Sequence, residues 1–264
     1  MTTALIDGDA VIFRCAASVA EEDPPDIAVK RVDELLQKII SEVQADSFRL
    51  FIKSDSNFRN TINPQYKANR KGQPIPVHLP ACREFVEQEW KAECESLLEA
   101  DDLLGINQTD ETIICGIDKD LLMIPGNHYS WELFHPKWTR PASFKTVDYD
   151  LGMKTFYKQM LIGDPSDNIF GMKGIGVVKA GQLLDHLETE QEMFDVVYDL
   201  YDDADRFVMN AQCLWIMQNK DETWVEKQHD LILPDQCELA VATTLNCMKS
   251  LRDATSMEPS TAVT

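Results

Sequence analysis

Nine acidic side chains stand where strands would end or helices begin: Asp7 in ALIDGDA, Asp55 in FIKSDSN, Glu99, Asp101 and Asp102 in EADD, Asp118 and Asp120 in GIDKD, and Asp164 and Asp167 in GDPSDN. Taken singly, each has a plain explanation, since aspartate caps helices by accepting a hydrogen bond from a first-turn amide. Taken together they pose an electrostatic problem. Two unit charges 4 Å apart repel by about 4 kcal/mol at an effective dielectric near 20, so converging carboxylates need protons or cations. Oxygen donors without cysteine, and with little histidine, suit a hard divalent ion, Mg²⁺ or Mn²⁺, rather than zinc. Two such ions about 4 Å apart can activate water and stabilise a leaving oxygen, which is phosphodiester hydrolysis.

The elements that must position these acids alternate. TTALID reads as a short buried strand ending on Asp7, and DAVIFRCAASVA as a helix. In DIAVKRVDELLQKIISEV, Ile27, Val32, Leu35, Leu36, Ile39, Ile40 and Val43 form the apolar stripe of a second helix. SFRLFIKSD returns to strand and stops at Asp55, a helix is expected from about Ala81 to Glu93, and EADDLLGINQ starts another. ETIICGID is a strand ending on Asp118, followed by a helical turn in KDLLMI. Strands alternating with helices predict a mostly parallel sheet, whose ligand site lies beyond the carboxyl ends of its strands. After about Val147 the segments suit helices only. The expected division is therefore an α/β part over 1–148, a helical part over 149–254 and a frayed tail over 255–264.

The chain of 264 residues has formal net charge -20, which by itself argues against nucleic acid. Its distribution is uneven. Lys53 to Arg83 holds six bases and one acid, whereas Glu188 to Asp205 holds eight acids and no base, read as a solvated face. No apolar run reaches the roughly 18 residues of a membrane span, so a cytoplasmic protein is expected. The seven cysteines lack metal-site or disulfide spacing and read as reduced thiols.

The ordered motifs IDGDA, SDSNFR…PQYKANR, EADD, GIDKDLL and GDPSDNIFGMKGIG resemble those of the 5′-nuclease family: phage 5′-exonucleases, flap endonucleases and the 5′-nuclease domain of bacterial DNA polymerases. The likeness runs from about residue 3 to 188. It implies a Rossmann-like (PIN-like) α/β core with a helical arch at about 57–93, then a helical DNA-binding domain with a helix-hairpin-helix at about 162–188. It also implies two Mg²⁺ ions, replaceable by Mn²⁺, with Asp7, Asp55, Glu99, Asp101 and Asp102 at the first and Asp118, Asp120, Asp164 and Asp167 at the second.

By the same resemblance Lys67 and Arg70 act on the scissile phosphate. Tyr66, spaced with them as on the first turn of a helix, stacks on an unpaired base, and Lys71 adds to the basic arch. Prolines 74, 76 and 80 limit how helical the arch can be, so it is expected to be mobile without DNA. Lys173, Gly174, Gly176 and Lys179 belong to the hairpin, where backbone amides receive a phosphate, with a monovalent cation as a further expectation there. Val178 stands where relatives often carry lysine. The implied activity is structure-specific hydrolysis of DNA at a 5′ end, flap or nick by a monomer. Since no polymerase domain accompanies the core, a phage origin is expected. The alternatives are an RNase H-like 5′-nuclease that removes RNA primers from hybrids, and a DNA-binding protein without cleavage.

Overall fold

The computed structural model describes residues 1–135, 137–227 and 231–256. In chain order the elements are β1 (Thr3–Asp7), α1 (Gly8–Ala17), α2 (Pro25–Val43), β2 (Ser47–Phe51), α3 (Arg59–Ile62), α4 (Leu79–Gln88), α5 (Ala100–Asn107), β3 (Thr112–Cys115), β4 (Gly126–Ser130), β5 (Leu133–His135), β6 (Trp138–Arg140), β7 (Ser143–Val147), α6 (Tyr149–Ile162), β8 (Gly163–Asp164), β9 (Ile169–Phe170), α7 (Val177–Leu184), α8 (Glu190–Tyr198), α9 (Ala204–Leu214) and α10 (Asp235–Ser256). They form two compact units that interleave in sequence. One comprises Met1–Ser56, Gly72–Thr155 and Ile216–Lys220; the other comprises Asn57–Lys71, Phe156–Trp215 and the chain from Asp221.

The first unit is built on a five-stranded sheet of order β2-β1-β3-β4-β7. β1 pairs parallel with β2 (Thr3 with Ser47) and with β3 (Thr3 with Thr112), β3 pairs parallel with β4, and β7 closes the edge antiparallel, Gly126 opposite Val147. Strands buried on both faces must be apolar throughout, and Ala4, Leu5 and Ile6 accordingly expose almost nothing. Ala4, Ile6, Leu50, Ile113 and Cys115 point into a core shared with α1, α2 and α4. α2 buries Ala28, Val32, Leu36 and Ile39, a helical stripe, while Ile27 at its start is exposed. α5 packs on β1 and β2 and buries Leu103 and Leu104. Gly8 lets α1 begin hard against β2, since a Cβ there would lie 2.6 Å from the Phe51 carbonyl oxygen.

The strands from 126 to 147 and the β8–β9 ribbon have no counterpart in the sequence reading. They are two to five residues long, and β6 is exposed throughout, as is β7 up to Val147, so neither a buried apolar run nor an alternation marks them. The strands before Asp55 and Asp118 also stop earlier than expected: β2 ends at Phe51 and β3 at Cys115.

The second unit is mainly helical. Phe194, Tyr198, Tyr201, Phe207 and Trp224 form a cluster of largely edge-on aromatic contacts joining α8 and α9. Thr189 and Glu192 close a capping box at the start of α8. Arg59, in the basic stretch of the sequence, is 3% exposed and donates to the carbonyls of Cys213 and Trp215 at 2.9 and 2.6 Å, so it braces this core. All seven cysteines are free thiols.

Candidate active site

In the sheet of the first unit the chain runs from β1 to β2 on one side and later returns to β3 on the other. The carboxyl ends of β1 and β3 therefore flank a topological switch point, where open α/β sheets bind ligands. Asp7 is the last residue of β1 and the N-cap of α1, its Oδ1 accepting from the Ala10 amide at 3.0 Å. It is 5% exposed. Burial pushes its carboxyl up to about 7, with the charges of Asp9 and Asp118 adding to the effect and the Ala10 amide opposing it.

Asp9, which the sequence reading did not single out, sits in the first turn of α1 and accepts from the Lys53 amide at 2.8 Å. Burial raises its pKa too; Lys53 and Arg83 oppose that, and Glu99 adds to it. Its signal in the sequence was the spacing in IDGD, a second acid within one turn of a helix whose cap is already acidic.

Asp118 is exposed beyond β3, its Oδ1 accepting from the Asp120 amide at 3.0 Å, and the Lys119 ammonium lies 3.9 Å from Asp120. Glu99 is the N-cap of α5 and shares a capping box with Asp102; Asp101 occupies the same first turn. Asp102 has no exposed surface, and its two oxygens accept from the amides of Glu99 and Met217, both at 3.2 Å. That is the environment of a structural cap. Asp55 lies in an exposed bend four residues past β2 instead of at a strand end.

These side chains fit a hard divalent cation by chemistry. Their donors are all carboxylate oxygens, and Asp7 is a desolvated acid facing two like charges, which a bound cation would relieve. The fit is incomplete in geometry, because among the described residues no three His, Cys, Asp or Glu side chains form a ready ligand set. Water molecules would have to complete the coordination.

In the second unit a short turn holds the other two acids. Asp164 is 9% exposed and caps the turn, accepting from the Ser166 amide and hydroxyl at 2.8 and 2.6 Å. Asp167 receives the Tyr66 hydroxyl at 2.9 Å, lies 3.5 Å from the Lys67 ammonium, and pairs with the Arg70 guanidinium. Burial raises the Asp167 pKa, Lys67 and Arg70 oppose the rise, and Asp164 adds to it.

Backbone bonds lace the same two segments: Lys67 N–H to the Asp167 carbonyl at 2.9 Å and Asn168 Nδ2 to the Gln65 carbonyl at 2.8 Å. Residues 66–70 are therefore not the first turn of a helix. Lys67 has φ 55° and only Ala68–Arg70 make a 3-10 turn. Tyr66 is 5% exposed, under the Lys67 ammonium, so its ring is not available for a base to stack on. Lys71 is exposed.

Farther along, the loop Met172–Gly176 is pinned by buried Ile175, whose amide donates to the Met172 carbonyl at 3.1 Å. Gly174 has φ +78°, and a Cβ at either Gly174 or Gly176 would meet nothing within 4 Å. Gly176 caps α7, leaving the first amides of that helix at an open surface beside exposed Val177 and Val178. Lys173 and Lys179 are exposed on either side.

Comparison with known proteins gives this arrangement a family. A 5′-3′ exonuclease of Buchnera aphidicola is 28% identical over 198 residues, 68% of this chain and 68% of that protein, and the flap endonuclease Xni of a Shewanella species is 24% identical over 209 residues, 74% and 79%. The DNA polymerase I of Caldicellulosiruptor bescii is 28% identical over 222 residues, but the match spans only 25% of the polymerase's length. The fold matches that of a bacteriophage T5 5′-exonuclease with bound zinc at TM-score 0.59, 15% identity, over 96% of this chain and 98% of that one. It also matches a bacteriophage T5 flap endonuclease complex with DNA and metal ions at TM-score 0.54, 15% identity, over 94% and 100%. Residues 2–145 match the 5′-3′ exonuclease, N-terminal resolvase-like domain, so the chain belongs to that family.

Proposed function

We propose that this protein is a divalent-metal-dependent, structure-specific 5′-nuclease that hydrolyses DNA at or near a 5′ end, flap or nick, using two Mg²⁺ ions. The observation that carries the reading is Asp7: a desolvated carboxylate at the switch point of the sheet, facing Asp9 and Asp118, in a chain of the 5′-3′ exonuclease family.

In the first unit Asp7, Asp118 and Asp120 would hold metal, with Asp9, Glu99 and Asp101 ordering its water shell, and Asp55 is kept as an outer ligand. Asp164 and Asp167 retain the metal role that the resemblance gives them. Bound metal would supply a hydroxide nucleophile at neutral pH and neutralise charge on the phosphate. The remaining work falls to the protein. Lys67 and Arg70 hold the Asp167 carboxylate in the absence of substrate, and are the cations suited to the phosphoryl oxygens as negative charge builds there. Gly174, Gly176 and the first amides of α7 would receive a duplex phosphate, flanked by Lys173 and Lys179.

Named relatives and fold neighbours support this reading: one relative is a flap endonuclease, and a fold neighbour was solved with DNA and metal ions. The test is a 5′-labelled flap incubated with Mg²⁺ or with EDTA, and with Asp120→Asn. Cleavage near the branch that needs Mg²⁺ and vanishes in the variant is expected; metal-independent cutting, or none at all, would refute the proposal. Running an RNA-primed flap beside the all-DNA one distinguishes primer removal from DNA processing.

A further inference from the structure

We propose that the β5–β6 ribbon is a second nucleic-acid contact, a stacking surface for an unpaired strand entering the carboxylate edge of the first unit. This deepens the nuclease reading above and rests on it.

Residues 133–147 contain no acid in a chain of net charge -20, and carry Lys137, Arg140 and Lys145 together with Phe134, Trp138 and Phe144. The aromatics are not core residues: Phe134 is 75%, Trp138 51% and Phe144 62% exposed. Phe144 packs against Tyr129 with ring centroids 4.9 Å apart, and Phe134, paired with Thr139, lies on the face of the ribbon opposite Trp138. Among the described residues Lys137, Arg140 and Lys145 form no ion pair with a carboxylate, and Arg140 bonds only neutral oxygens.

Pairing of His135 with Trp138 and of Leu133 with Arg140 puts these four side chains on one face of the ribbon. There the indole lies flat on the imidazole, ring centroids 5.2 Å apart at 17°. The Arg140 guanidinium donates to the Ile117 carbonyl at 3.1 Å and to the Ser130 hydroxyl at 3.0 Å. Ile117 directly precedes Asp118, so the face that presents Trp138 is tied to the end of β3 where the carboxylates lie.

A pre-stacked aromatic pair beside lysine and arginine that carry no carboxylate partner is the chemistry that binds single-stranded nucleic acid: base rings stack and phosphates meet lysine and arginine. A duplex keeps its bases stacked inside and gains only the charges. A protein partner would meet the same apolar rings but has no need of an acid-free stretch, so charge complementarity favours the polynucleotide.

The experiment measures binding of a duplex with a 5′ oligo(dT) flap and of the same duplex without it, in Ca²⁺, for the wild-type protein and for Lys137→Ala/Trp138→Ala, with Mg²⁺-dependent cleavage of the flap run in parallel. Both altered side chains are exposed, so the variant is expected to keep the wild-type melting temperature. The expected result is an affinity for the flapped DNA lower by about tenfold or more and an affinity for the plain duplex within about twofold. Addition of oligo(dT) should also quench tryptophan emission in the wild type and leave it unchanged in Trp138→Phe. If the wild type cleaves and the variant binds both DNAs as the wild type does, the ribbon is not a strand contact although the nuclease reading stands. If the wild type neither binds nor cleaves, both fall.

Discussion

Asp7 caps α1 with the same carboxylate that faces Asp9 and Asp118, so one side chain serves the fold and the site. Each acid was legible in the sequence as a cap or as a ligand, and the structure shows how far the capping reading goes: Asp7, Glu99, Asp102 and Asp164 all cap, and Asp102 does so with both oxygens on backbone amides. The strain of charge convergence is measurable without metal. Burial pushes the Asp7 carboxyl up from its ordinary 3.8 to about 7, so folding between those values takes up a proton, and the stability linked to it is present below about pH 4 and lost as pH rises through 7.

In EDTA, Asp7→Asn, which preserves an N-cap, should therefore match the wild type in urea unfolding only near about pH 3, below the ordinary carboxyl range. It should exceed the wild type by up to about 4 kcal/mol near about pH 8. Equal stability at both would show that Asp7 ionises without penalty. Asp9 and Asp167 are shifted in the same direction by burial and would leave a residual slope of the same sign in the variant. Lys67→Ala should slow cleavage by roughly 10², with flap affinity changed far less; an unchanged single-turnover rate would remove Lys67 from the chemistry.

At the scale of elements, α7 and the loop before it show why glycine sits where it does. A side chain at Gly176 would enter open space, and its backbone angles are ordinary, so nothing inside the protein demands glycine there. On the proposed reading, a DNA phosphate approaching from outside would use that open space. Gly176→Val is accordingly expected to leave the melting temperature within about 2 °C while weakening duplex binding about tenfold; a folded variant with wild-type affinity would detach the hairpin from DNA binding. Gly174 differs, because its φ of +78° would strain any substitute and confound the result.

The segment 66–70 carries the opposite lesson. Its spacing predicted a helical turn with an exposed tyrosine, but long-range bonds to the 165–168 turn fix it as an irregular strap with Tyr66 buried. No local periodicity records a partner a hundred residues away.

At the scale of the molecule, an excess of acid must coexist with a polyanionic ligand. In the stretch from Lys53 to Arg83, Arg59 is committed to backbone carbonyls, Arg83 to Glu87 and the Lys53 carbonyl, and Lys67 and Arg70 to Asp167. With 45 acids against 25 bases, and few cations of that stretch left to displace counterions, DNA affinity should depend only modestly on salt. A log–log slope corresponding to ten or more neutralised phosphates, measured by titration with KCl, would contradict that.

The sequence by itself determined the alternating α/β order, the buried strands β1 to β3, the helical stripe of α2 and the family, because each is written in local periodicity or in short ordered motifs. Only the tertiary structure decided which acids are spent as caps, that Asp9 joins Asp7, that Arg59 and Tyr66 are buried, and that an exposed aromatic ribbon adjoins Asp118. Those outcomes depend on desolvation and on partners distant in the chain, and neither leaves a mark on the neighbouring residues.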